Sequence, residues 1–262
     1  MIRQAALAIL CGLSLLLASL PAASAEPGIS LAEAINIAGR QRMLSQRIVK
    51  SYLQMGQDIR YRVARRHLQS SIVLFEQQLN MLKAFTDDPE TSRGLALVEK
   101  LWAPVKAVAT GPVRRENAKK LREDAEQLLA AAHQVVLILA DQSGTEQGHL
   151  VNIAGRQRML SQRMGNLYML MSWKFDDELY QQDYKVATRE FDEALQELIN
   201  SNENTPEISD LLRRVQQNWN MYNLSNRMDG DHFVPGLVAR MLDKILTQMN
   251  QVTGLYAALP RE

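Results

Sequence analysis

The sequence predicts an all-α protein built as two tandem four-helix, up-down-up-down bundles related by a pseudo-twofold axis. Three observations carry that expectation. Apolar residues recur at helical spacing nearly everywhere, and no stretch alternates as a half-buried strand would. Gly and Pro number only 13 and 8 of 262 residues and cluster at a few points, where they punctuate long helices. Finally, the twelve residues Asn36-Ile37-Ala38-Gly39-Arg40-Gln41-Arg42-Met43-Leu44-Ser45-Gln46-Arg47 recur letter for letter at 152–163, a spacing of 116 residues. Cores tolerate many substitutions at constant volume, so shared architecture alone would not preserve an unbroken run with three arginines.

The first 25 residues read as a secretory signal: Arg3, an apolar stretch from Ala5 to Leu20, Pro21, and a small-residue exit at Ala23-Ser24-Ala25. The apolar stretch is short for a membrane span of ~20 residues. The mature chain is therefore expected to begin at Glu26 and to reside in the periplasm. Cys11, the only cysteine, lies inside the signal, so the mature chain offers no disulfide, thiol nucleophile or thiolate ligand. Loss of Arg3 brings the 30 Lys and Arg down to the 29 Asp and Glu, and a balance near zero argues against nucleic acid and anionic membranes as partners.

Helix breaks are expected near Gly56-Gln57-Asp58, at Thr86-Asp87-Asp88-Pro89, at Thr110-Gly111-Pro112, at Ser143-Gly144, near Asp176-Asp177, at Asn202-Glu203-Asn204-Thr205-Pro206 and at Asp229-Gly230-Asp231. Eight helices result, four in each half, with modules at 26–143 and 144–262. The repeat extends beyond the motif at the same offset. Tyr52 matches Tyr168, Phe75 matches Phe191, Leu79 and Leu82 match Leu195 and Leu198; with one inserted residue, Val98 and Trp102 match Val215 and Trp219. Short connections make sequential helices antiparallel neighbours, so the two bundles can stand side by side with their motifs at one height.

On a helical projection Ile37, Leu44 and Ile48 form the core-facing stripe. Arg40, Arg47 and Asn36 flank it on one side, and Arg42, Ser45 and Ala38 on the other. Gly39 costs about 1 kcal/mol relative to Ala inside a helix, so its presence in both copies, as Gly39 and Gly155, points to close approach or an exposed amide. A guanidinium beside it offers five fixed donors suited to a planar oxyanion. Two readings are open. The arginines make interhelical salt bridges, or Arg42 and Arg158 converge on one small anion that relieves their mutual repulsion.

The segment Ile35–Arg47 resembles the signature of the PilJ-type sensor domain of type IV pilus chemotaxis transducers. It is also similar to the P-box of the nitrate/nitrite sensor histidine kinases, with Asn-x-Ala-Gly-x-x-Arg-Met-x-Ser-x-Arg in the same frame. The resemblance implies a periplasmic four-helix bundle that dimerises and, in nitrate-sensing members, holds nitrate between the two first helices. Carried over by position, it implicates Arg42 and Arg158 as principal ligands with Gly39 and Gly155 beside them. The rest of the motif, Arg40, Arg156, Arg47, Arg163, Ser45 and Ser161, completes the candidate ligand set. Arg40-Gln41, Leu44 and Gln46 depart from the kinase pattern toward the pilus-transducer version. The resemblance further implies nitrate or nitrite as ligand and a membrane-bound sensor or transducer as partner. The motifs pair within the chain or across a homodimer. The alternative is a helical interaction module of pilus or chemotaxis signalling with no small ligand.

Other constellations carry less. Glu146-Gln147-Gly148-His149 has Glu-x-x-His spacing but no second copy, as a di-iron bundle would need, and reads as a solvated helix start. Glu190, Glu193 and Glu197 share a helix face with Arg189 and Lys185 alongside it, and read as solvated charge. His67 and His133 have no spaced partners and read as structural. Met164, Met169 and Met171, among 12 methionines, suit core packing better than copper. No phosphate loop, nucleophile elbow or paired catalytic carboxylates appear, and neither an enzyme, a metal site nor a cofactor is expected.

Overall fold

A computed structural model describes residues 29–175, 177–228 and 233–260. The expected signal segment and the expected break at Asp229-Gly230-Asp231 lie outside the described residues, as does Asp176. Among those described, the chain is all-α: α1 (Leu31–Gly56), α2 (Tyr61–Phe85), α3 (Pro89–Thr110), α4 (Asn117–Ser143), α5 (Glu146–Ser172), α6 (Glu178–Ile199), α7 (Pro206–Met228) and α8 (Pro235–Ala257). No described helix is long and apolar enough to cross a membrane.

Helix boundaries follow capping chemistry. Ser30 Oγ accepts the Glu33 N–H at 3.1 Å to open α1, and Asp88 accepts the Thr91 N–H at 2.7 Å to open α3, with Pro89 in its first turn. Thr145 Oγ1 accepts the Gly148 N–H at 3.1 Å at the start of α5. Between α4 and α5, Gly144 takes the left-handed conformation, φ 57°, which a side chain would strain. That tight turn places the second motif helix directly beside the first bundle.

Each half closes as a ring of neighbours. In the first, α1 packs on α2 and α4 while α3 bridges them; in the second, α5 packs on α6 and α8 with α7 between. The duplication shows in the contacts. Phe75 stacks on Trp102 at 4.2 Å and Phe191 lies on Trp219 at 4.3 Å. Gln41 donates to the Phe75 carbonyl and Gln157 to the Phe191 carbonyl. The Tyr52 hydroxyl accepts the Arg114 N–H and the Tyr168 hydroxyl the Val234 N–H, each tying a motif helix to the start of its bundle's last helix. Burying Phe191 completely stabilises by about 1.5–3 kcal/mol.

The most extensive helix contact joins the halves, α1 to α5. The two run parallel: Ile35, near the start of α1, reaches Gly148 near the start of α5, and Gly56, ending α1, lies under the Trp173 ring just past α5. One apolar core runs through both bundles. The motif helices are therefore interior, and their polar residues Asn36, Gln41, Arg42, Ser45, Gln46 and Lys50 are buried.

Candidate functional site

The crossing of α1 and α5 sits on the two glycines. A Cβ added to Gly39 would stand 3.8 Å from the Gly155 Cα, 3.2 Å from Arg158 Nη2 and 3.4 Å from Arg42 Nη2; one on Gly155 would stand 3.8 Å from the Gly39 Cα, 3.2 Å from Arg158 Nη2 and 3.3 Å from Arg42 Nη2. Helical side chains lean toward the N-terminus of their helix, so an arginine three residues beyond each glycine hangs back over the crossing. The repeat spacing thus brings Arg42 and Arg158 onto one pair of glycines within one chain. Of the two pairings open from the sequence, this is the intramolecular one.

Their hydrogen bonds obey the same pseudo-twofold. Arg42 Nη2 donates to the Asn152 carbonyl at 3.1 Å, and Arg158 Nη2 to the Asn36 carbonyl at 3.1 Å. Arg42 Nη1 donates to His133 Nδ1 at 3.0 Å; Arg158 Nη1 donates to Asn36 Oδ1 at 2.9 Å and Asn250 Oδ1 at 3.4 Å. His133 and Asn250 are 117 residues apart, the offset that also relates Trp102 to Trp219. Arginine has no acceptor, so His133 Nδ1 accepts and its proton resides on Nε2.

Every one of these partners is neutral. Arg42 and Arg158 are 1% and 0% exposed, and no described carboxylate comes within ion-pair distance of either. Each buried Nε has no acceptor. Burial first and the Arg156 charge second draw the Arg42 pKa down to about 9. Burial, then Arg40 and Arg42, hold Arg158 well below its ordinary value, opposed by Glu33, whose carboxylate accepts from Asn36 Nδ2 at 3.0 Å. Two desolvated cations facing one crossing favour any arrangement that brings negative charge to them.

The remaining predicted residues divide by position. Ser45 and Ser161 are buried, but each hydroxyl donates to the carbonyl of its own helix's arginine, Arg42 or Arg158, at 2.8 and 2.7 Å. Arg156 pairs with Glu190 at 3.0 Å. Arg163 reaches Glu126 at 2.8 Å and Asp183 at 3.4 Å. Arg47 is drawn below its ordinary pKa by burial, with Asp243 opposing. Arg40 is half-buried and acts on Arg158 through its charge. The salt-bridge reading thus describes Arg156 and Arg163, and it does not describe Arg42 or Arg158.

Sequence reasoning missed His133, set aside for want of spaced partners; its partner is on another helix, out of reach of any local pattern. The 117-residue match of His133 to Asn250 was the available signal. It also missed a buried ion pair below the crossing. Lys50, fully buried, contacts Asp243 at 2.5 Å, and Asp243 also takes Arg60 at 3.1 Å. The Lys50 chain fits only because Gly165 faces it, where a Cβ would come 2.5 Å from Cδ.

Fold and site together define a duplicated helical module paired about an internal twofold, with buried cations at the pairing. The chain belongs to the PilJ family, described as the N-terminal part of type IV pili methyl-accepting chemotaxis transducers, which matches residues 29–134 and 139–227. No curated protein and no solved structure matches it.

Proposed function

We propose that this protein is a sensory module of type IV pilus-linked chemotactic signalling, acting through a membrane-bound transducer as protein partner. The observation that supports this reading is the family match in both halves. In it, residues 1–25 direct export to the periplasm, and 26–143 and 144–262 are two sensor modules locked together at α1 and α5. Deleting the gene should change pilus-driven surface motility, and cross-linking in cells should join the protein to a PilJ-domain transducer. Unchanged motility together with no such cross-link would sink the assignment.

A second reading is favoured by one feature, the two buried guanidiniums without a carboxylate. In this reading a small oxyanion, nitrate or nitrite, is held between the motif helices by Arg42 and Arg158, with Gly39 and Gly155 allowing the approach. Calorimetric titration with nitrate and nitrite, against chloride at matched ionic strength, should give one site per chain. Arg42→Ala with Arg158→Ala should abolish it. Heats equal to the chloride control would leave the interaction module without a nitrogen oxyanion.

A further inference from the structure

The two arginines are equivalent at the crossing but not in what lies behind them. Arg42 lines a solvent-open cavity of about 230 Å3 between α1, α4, α5 and α6, and His133 and Arg156 share its wall. Its other walls include Leu129, Ala130 and Met159. Glu126 is held by Arg163 and also contacts Arg122, and Glu190 is held by Arg156. His133 accepts from Arg42 and is neutral, so Arg42 is the lining cation with no anion of its own. It is also buried, with an Nε that has no partner.

We propose that this cavity binds a short aliphatic carboxylate, its carboxylate on Arg42 and its hydrocarbon tail against Leu129, Ala130 and Met159. The inference rests on reading Arg42 as a ligand-facing cation. The cavity has room for more than a four-atom oxyanion: at about 30 Å3 per water, 230 Å3 is the space of roughly eight waters. Chemistry decides the rest. A guanidinium is a planar fork matched to a carboxylate, and His133 Nε2–H is a second donor on the same wall. An apolar patch beside a few convergent polar groups is the usual make-up of a small-molecule site. Docking there would place negative charge beside Arg42, which is buried and unpaired while Arg156 is exposed and held by Glu190, and so would couple ligand to the α1–α5 crossing on which Arg42 lies.

The test is calorimetric titration of the purified protein with butyrate, with butyramide as its neutral isostere, and separately with nitrate. Butyrate is expected to saturate at one per chain, and butyramide to bind at least tenfold more weakly. Arg42→Gln should weaken butyrate at least tenfold. Ala130→Phe, at an exposed position on the cavity wall, tests the site without disturbing the crossing. Its ring should fill the cavity and remove butyrate binding while leaving any nitrate titration unchanged. Equal heats for butyrate and butyramide, or butyrate binding untouched by Ala130→Phe, would overturn the proposal. Nitrate binding without butyrate binding would overturn it and leave the oxyanion reading standing; binding of neither would overturn both.

Discussion

At the scale of single residues, an unpaired buried charge should be nearly free to remove. Replacing a well-packed buried side chain by Ala costs about 2–5 kcal/mol. Arg42→Met keeps most of the volume, forfeits hydrogen bonds worth about 1 kcal/mol each, and removes a cation whose desolvation has no carboxylate to offset it. Urea unfolding at low salt should therefore show a change within about 1 kcal/mol of zero, or a gain. A loss above about 3 kcal/mol would mean that neutral acceptors alone satisfy the guanidinium. His133 gives the pH dependence. Burial, then Arg42 and Arg156, push its pKa from 6.5 down to about 4, and burial does the same to His67. The unfolded chain then binds protons that the folded one does not. Their stabilising contribution is complete above pH 6.5, falls as pH drops toward 4, and is constant below. His133→Asn copies the acceptor that Asn250 gives Arg158, and should flatten part of that loss. Melting temperatures of the two proteins that fall in parallel from pH 7 to 4.5 would refute this.

Among elements, the motif helices depend on what their neighbours leave open. Gly56 ends α1 where a Cβ would stand 2.3 Å from Trp173 Cη2, and the ring is held by Phe175 and Arg115. Gly56→Ala is expected to cost about 1–3 kcal/mol by overpacking, although Ala is the better helix former. A thermal melt as high as that of the parent would contradict it. Asp243 fastens α8 to α1 and to the start of α2 through Lys50 and Arg60. Asp243→Asn would strand the buried Lys50 charge and should cost about 3–5 kcal/mol, measured by urea unfolding at pH 7. A loss under about 1 kcal/mol would show that Lys50 reaches water. Elements were also what the sequence revealed most clearly. Clusters such as Asp88-Pro89 and Ser143-Gly144 carry capping chemistry within a few residues, so these two breaks could be read locally. Arg42, Arg158, Gly39 and Gly155 were legible because they occur twice. The Lys50–Asp243 pair was not, because its contact spans 193 residues and leaves no local pattern; His133 and Asn250 left only their shared 117-residue offset, since each contacts an arginine some 90 residues away.

For the whole molecule, the question is whether the two modules are separate folding units. Their largest contact is α1 against α5, and the polar centre of each motif helix is covered by the other half: Arg42 by the Asn152 carbonyl at 3.1 Å, Arg158 by Asn36 and Asn166 by Gln46 at 2.7 Å. Cutting the chain after Ser143 would bare that side of α1, with Gly39, Arg42, Gln46 and Lys50 on it. A fragment of residues 29–143 should restore the lost cover with a second copy of itself, Gly39 against Gly39, because the repeat makes α1 a near substitute for α5. Sedimentation should find a dimer, and Gly39→Leu should abolish it, since its side chain would meet a facing backbone. The intact chain, with one core through both bundles, should unfold in a single transition. A folded monomeric fragment and two transitions in the intact chain would show instead that each module closes its own core. In that case α1 and α5 would be docked surfaces able to slide or separate, and the buried arginines would be a latch between two domains instead of the centre of one.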